Sequence, residues 1–133
     1  MKLLLDTHTW VWAAENQVKL GVKCRKILAD SSNELFISPI STLELAQLIS
    51  KKRLRLSLHL DKWIEVSVST LILLTAEFDH KVAQDAYSFQ EPFHNDPSDR
   101  ILVATAMQLG ALLVTADKNI LRHKWIPTLA ADR

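Results

Sequence analysis

The sequence predicts an α/β protein, a three-layer α/β/α sandwich with a mainly parallel central sheet of four to five strands. Three observations carry this prediction. Short segments that are apolar throughout alternate with longer segments of helical period along the whole chain. Strands that are apolar on both faces belong in a parallel sheet covered by helices on each side. The chain has 133 residues, 48% of them hydrophobic and 23% charged, which suits one domain, 1–133, and leaves too little chain for a second core.

The elements follow in order. Lys2 to Leu5 is a short apolar run closed by Asp6, which suits a buried first strand. Trp10 to Ala14 reads as a helix. From Leu20, the apolar positions Cys24, Ile27 and Leu28 recur at helical spacing until Asp30-Ser31-Ser32-Asn33 breaks the pattern. Leu35-Phe36-Ile37 is the second strand, closed by Ser38-Pro39. Leu45, Leu48 and Ile49 mark a helix face that runs into Lys51-Lys52-Arg53, and Leu60, Trp63 and Ile64 mark a further short helix. Leu71 to Leu74 is the third strand, followed by a helix traced by Phe78, Val82, Ala83 and Ala86. A polar loop, Gln90 to Asn95, leads to Pro97. Ile101 to Leu109 is a strongly apolar helix with Gly110 at the usual terminating position. Leu112 to Val114 is the fourth strand, and Pro127-Thr128-Leu129 a short fifth.

Composition removes several function classes. Sixteen basic and fifteen acidic residues leave a formal charge of +1, unlike proteins that grip nucleic acid by bulk positive charge. Two glycines, Gly21 and Gly110, cannot build a phosphate-cradling loop. The single Cys24 makes neither an internal disulfide nor a thiolate metal site, as expected in a reducing compartment. Three leucines before Asp6 fall far short of a secretory apolar region. Ile101 to Ala116 is shorter than the ~20 apolar residues of a membrane span. A cytoplasmic protein without membrane contact is expected.

In parallel sheets, ligands bind beyond the carboxyl ends of the strands. Four acids fall at that edge. Asp6 follows strand one, and Glu44 is placed in the first turn of the helix after strand two. Asp99 lies in the first turn of the helix before strand four, and Asp117 just beyond that strand. Two carboxylates about 4 Å apart repel by roughly 4 kcal/mol at a surface-like dielectric. A cluster of them therefore stays ionised only with a cation, and hard oxygen ligands suit Mg²⁺ or Mn²⁺. Such an ion binds phosphodiester oxygens and acidifies water. Taken singly, each acid is also explained by capping. Ser41-Thr42-Leu43-Glu44 matches a capping box. Asp96-Pro97-Ser98-Asp99 reads as an N-cap, a proline at the first helical position and a first-turn acid, and Asp117 suits the cap of a short helix through Leu121.

Four motifs, in order, resemble one family. They are Leu4-Leu5-Asp6-Thr7-His8, Ile37-Ser38-Pro39-Ile40-Ser41 continuing through Glu44-Leu45-Ala46, Asn95-Asp96-Pro97-Ser98-Asp99-Arg100-Ile101, and Leu113-Val114-Thr115-Ala116-Asp117. Together they resemble PIN-domain nucleases, and within them the toxins of VapBC-type toxin–antitoxin pairs, over essentially the whole chain. The resemblance implies Mg²⁺- or Mn²⁺-dependent endonucleolytic cleavage of RNA. It places the acidic metal site on Asp6, Glu44 and Asp99, with Asp117 as fourth member and Asp96 as a supporting or capping residue. It also implies a cognate VapB-type antitoxin and a homodimer. Metal-activated water would attack the phosphorus, with Asp6 and Asp99 as direct ligands. Glu44 would ligate or orient the water, and Asp117 would act directly or through a coordinated water.

Other residues carry two readings each. Thr7 and Thr115 are placed either for the site, to orient a carboxylate or touch phosphate, or to make turns and caps. Arg100 either pairs with a neighbouring acid or meets phosphate, the ion pair being the simpler role. His8, His94 and His123 form no metal motif and are left out of catalysis. Lys51-Lys52-Arg53 with Arg55 reads as a solvated helix end. Trp10, Trp12, Trp63 and Trp125 suit the core, with Trp10 and Trp12 near enough to Asp6 to stack on a base. Two rival functions remain at this level. One is an aspartyl-phosphate phosphatase or phosphotransfer domain using Asp6, although Asp6-Thr7-His8-Thr9 has histidine where that chemistry wants a second acid. The other is a non-catalytic PIN-like binding domain.

Overall fold

The computed structural model describes residues 1–133. It contains one five-stranded, wholly parallel sheet in the order β3-β2-β1-β4-β5. The elements are β1 (Lys2–Leu5), α1 (Thr7–Glu15), α2 (Val22–Ala29), β2 (Glu34–Ile37), α3 (Pro39–Ser50) and α4 (Leu60–Leu71). They continue with β3 (Leu73–Thr75), α5 (His80–Asp85), α6 (Pro97–Leu109), β4 (Leu112–Thr115), α7 (Lys118–Leu121) and β5 (Thr128–Ala130). No helix is long and apolar enough to cross a membrane.

The pleat explains the layers. Alternate strand residues point to opposite faces, so Leu3 and Leu5 join one apolar cluster and Leu4 the other, all three fully buried. The first cluster packs Leu4, Phe36 and Leu113 against Val82 of α5 and Leu102, Val103 and Ala106 of α6. The second packs Leu3, Leu5, Leu35 and Val114 against Trp10 of α1, Cys24 of α2 and Trp63 of α4. Helix α3 serves both, through Ile40 and Leu45. Trp10 and Trp63 sit 4.9 Å apart, and Trp10 Nε1 donates to Ser67 Oγ, so this pair is core rather than surface.

Strand order fixes where the site lies. The chain winds outward from β1 through β2 to β3, then returns across the sheet to pair β4 on the other side of β1. This reversal opens a crevice at the carboxyl ends of β1 and β4, the place where such sheets bind ligands. Leu5 is in register with Val114, and Asp6 N donates to Val114 O at 3.1 Å. Asp6 thus starts at the mouth of the crevice.

Several boundaries depart from the sequence expectation. Helix α1 begins at Thr7 rather than Trp10, because the Asp6 side chain caps it. The third strand is Leu73–Thr75, starting two residues and ending one residue later than expected, and Leu71 belongs to the longer helix α4. Ile72 breaks that helix in a left-handed conformation at φ 54° with an exposed side chain. Asp79 delays α5 to His80 by capping it. Gly110 ends α6 at φ 66°, where a side chain would be strained. The fifth strand is Thr128–Ala130.

Candidate active site

The first site residue is fixed by the turn from β1 into α1. Asp6 is nearly buried, and one of its oxygens, Oδ1, accepts from Thr9 N at 2.8 Å. The Thr9 hydroxyl in turn donates to Val114 O at 3.0 Å, tying the start of α1 to β4.

Glu44 comes from α3, in a position that the sequence pattern disguises. Ser38 caps this helix by accepting from Ile40 N, and Pro39 occupies the first helical position. Glu44 is therefore the sixth helical residue, not a first-turn residue, and the expected Ser41–Glu44 capping box does not form. The apparent box is instead two rungs of one helix face meeting Thr7. The Thr7 hydroxyl donates to Glu44 Oε1 at 2.5 Å and lies 2.9 Å from Ser41 Oγ. A hydroxyl has one proton; with it given to the carboxylate, Ser41 is left as the donor to Thr7. Thr7 thus orients a carboxylate, one of its two expected roles.

Helix α6 supplies the next pair. Asp96 caps it, accepting from Ser98 N at 2.9 Å, with Pro97 at the first position as expected. Asp99 is not a cap. Its Oδ2 lies 2.7 Å from His94 Nε2. Asp117 follows β4 and caps α7 through Asn119 N, while its own N–H donates to Thr115 Oγ1. Thr115 is fully buried in that turn and does not reach the cleft.

These acids converge. Asp6, Glu44, Asp96, Asp99 and Asp117 line one cleft of about 380 Å³, together with Thr7, His8 and Trp12. No Lys or Arg lines it. Burial pushes the Glu44 carboxyl above the ordinary glutamate range. The Thr7 hydrogen bond opposes that shift, and the charges of Asp99 and Asp96 add to it. Burial also raises Asp99; His94 opposes this, and Asp96 and Asp117 reinforce it. The site is an acid cluster that no Lys or Arg compensates.

A hard divalent cation fits this donor set. No three Asp, Glu, His or Cys side chains stand close enough to close a ligand cage by themselves. Mg²⁺ does not need such a cage: it keeps several waters and takes one or two carboxylates. An open cleft with five carboxylates as hard oxygen donors, at a cost visible in two raised carboxyls, matches that preference.

Arg100 departs from both of its expected roles. It forms no ion pair and does not line the cleft. Its guanidinium donates to three backbone carbonyls, His94 O at 3.0 Å, Ala86 O at 3.0 Å and Phe93 O at 2.9 Å. It also lies 4.9 Å from the Tyr87 ring centroid. A planar guanidinium with five N–H donors can serve several carbonyls at once. The Lys51-Lys52-Arg53 run is exposed after α3 and does not border the acids. Two histidines set aside in the sequence meet the site: His8 lines the cleft, and His94 touches Asp99. Spacing held no signal for the latter, since His94 lies in the irregular stretch before α6.

The PIN domain family matches residues 3–126 of the chain. Over 122 residues the chain is 29% identical to Ribonuclease VapC22 of Mycobacterium tuberculosis, covering 92% of each protein. Among solved structures it resembles a chain of VapBC2 from Rickettsia felis bound to a promoter DNA fragment. That likeness has a TM-score of 0.72 at 20% identity and covers 97% of this chain and 98% of the other. A chain of VapBC-1 from nontypeable Haemophilus influenzae matches at TM-score 0.69 and 16% identity, over the full length of both. At such identities the two structures speak for the fold, which agrees with the parallel sandwich expected from the sequence.

Proposed function

Because this chain belongs to the PIN-domain family, we propose that it is a metal-dependent endoribonuclease acting as the toxin of a type II toxin–antitoxin pair. One observation carries the reading. Five carboxylates from four separate segments line a single cleft that holds no Lys or Arg. Mere capping asks nothing of this convergence, since each cap is satisfied locally through one oxygen.

A bound Mg²⁺ or Mn²⁺ supplies Lewis-acid stabilisation of the phosphodiester and an acidified water. Asp6 and Asp99 are assigned as the direct ligands. Thr7 fixes Oε1 of Glu44, leaving its second oxygen to ligate or to orient the attacking water. Asp117 acts directly or through water, and Asp96 adds negative charge while holding the start of α6. Trp12 and His8 form the wall against which RNA would lie. The ribonuclease relative supports RNA as the substrate. The VapBC assemblies support a VapB-type antitoxin partner for the single domain 1–133. A homodimer working in the cytoplasm completes the proposal, and light scattering of the purified chain checks the dimer.

The test uses Asp6→Asn and Asp99→Asn. Both variants are expected to stay folded, to lose Mn²⁺ binding by calorimetry, and to lose Mg²⁺- or Mn²⁺-dependent RNA cleavage. Wild-type cleavage should also vanish in EDTA. Folded Asn variants that still cleave RNA would sink the metal-site assignment.

A further inference from the structure

We propose that His94 is a positioning residue, which holds the Asp99 carboxylate in its cleft-facing orientation and is itself held by Arg100. The inference rests on the nuclease reading above and adds to it a residue outside the acid cluster. His94 does not line the cleft, so it acts only through Asp99.

The geometry forms a short relay. Asp99 sits in the first turn of α6 and, unlike Asp96, receives no backbone N–H that would fix its side chain. Its one hydrogen-bond partner is His94 Nε2, at 2.7 Å on Oδ2. This bond engages Oδ2 from a residue outside the cleft lining and leaves Oδ1 without a hydrogen bond, on a side chain that lines the cleft. The opposite ring nitrogen, Nδ1, is buried without a partner. A proton there would have no acceptor, so the tautomer with hydrogen on Nε2 is favoured, and the ring donates toward Asp99.

The ring is held in turn. It packs on Phe93 with centroids 4.1 Å apart, and Phe93 packs on His123 at 5.2 Å. Its backbone is fixed by Arg100, whose Nε donates to His94 O and whose Nη2 donates to Phe93 O. Arg100 follows Asp99 directly on α6, so one turn of helix presents the carboxylate and anchors the loop that orients it. Outer residues that orient ligands in this way typically matter by 10- to 100-fold in metal affinity or activity.

Two amide replacements separate positioning from simple packing. The amide nitrogen of His94→Gln falls near the position of Nε2 and keeps the donor to Asp99; that of His94→Asn falls near Nδ1 and loses it. In the purified chain, His94→Asn is expected to weaken Mn²⁺ binding about tenfold by calorimetry and to lower kcat for RNA cleavage by a similar factor. KM should change less than about twofold. His94→Gln should recover most of both losses. In the metal-free protein, the carboxyl ¹³C resonance of Asp99 should move in His94→Asn and stay near its wild-type position in His94→Gln. Equal behaviour of the two variants, or a His94→Asn protein within about twofold of wild type in Mn²⁺ affinity, overturns the positioning role. Wild-type protein that neither binds Mn²⁺ nor cleaves RNA overturns the nuclease reading instead, and the Asp99 resonance still decides whether His94 orients that carboxylate.

Discussion

Asp6 serves two ends with one carboxylate. Oδ1 holds the first turn of α1, and the remaining oxygen is left for the cleft. Asparagine caps about as well as aspartate, so Asp6→Asn separates the two uses. Its stability by urea denaturation is expected within about 1 kcal/mol of wild type, while RNA cleavage falls about 10²-fold or more. Asp96→Ala should show a different balance. Loss of the Ser98 bond costs about 1 kcal/mol, as removal of an N-cap does. These outcomes separate residues that sequence alone leaves equivalent, because every acid here falls at a helix start or strand end. Glu44 shows how the ambiguity arises. Ser41-Thr42-Leu43-Glu44 fits the capping-box pattern, yet Pro39 and Ser38 start the helix three residues earlier and turn that pattern into a face toward Thr7.

At the scale of elements, caps and breaks decide the boundaries. Gly110 closes α6 in the left-handed region with open space where a Cβ would go, so Gly110→Ala meets strain rather than a clash. The expected cost is about 1 kcal/mol by chemical denaturation, with RNA cleavage unchanged. Helix α2 offers a second check. Cys24 is fully buried on its apolar face, and burial, with Asp132 nearby, pushes the thiol up to about 11. Folded protein at pH 8 should therefore react with a thiol reagent only as fast as it unfolds. Rapid labelling of native protein would contradict this packing. The helix's apolar spacing was plain in the sequence, whereas the ends of α1, α4 and β3 were not. A side-chain cap at Asp6 starts α1 three residues early, and α4 runs on to Leu71 until the left-handed Ile72 ends it, neither change altering the hydrophobic period.

Across the whole molecule, the acid cleft sets a dependence on pH and metal. Glu44 and Asp99 titrate higher in the folded chain than in the unfolded one. The folded state therefore binds more protons between the two values. The stability from these two groups is fully present below the ordinary carboxylate range and is lost as pH rises through their raised folded values. Without divalent cation, this contribution makes Asp99→Asn more stable than wild type near neutral pH, and the difference should shrink in acid. Mn²⁺ should reverse the order. At a hundredfold excess over Kd, a cation bound only by the folded state adds about 2.7 kcal/mol to wild type and little to Asp99→Asn. Scanning calorimetry at two pH values, with Mn²⁺ or with EDTA, checks both signs. Equal wild-type Tm in Mn²⁺ and EDTA would argue against a cation site.

The sequence by itself determined the layers, the parallel sheet and the four acids beyond the strand ends. Apolar periodicity and the placement of charge after a buried strand are local properties, written directly into the order of residues. Only the tertiary structure decided which acids share a cleft, that Thr7 grips Glu44, that Thr115 turns inward, and that Arg100 holds a loop instead of an acid. It alone brought His94 to Asp99. Thr7 and Glu44 come from segments far apart in the chain, Arg100 uses backbone carbonyls that every residue carries, and His94 reaches Asp99 through the path of an irregular loop, so none leaves a signature in side-chain spacing. The near-neutral total of +1 hides a strongly acidic cleft for the same reason: charge adds along the chain, but its electrostatic effect depends on distance in the fold.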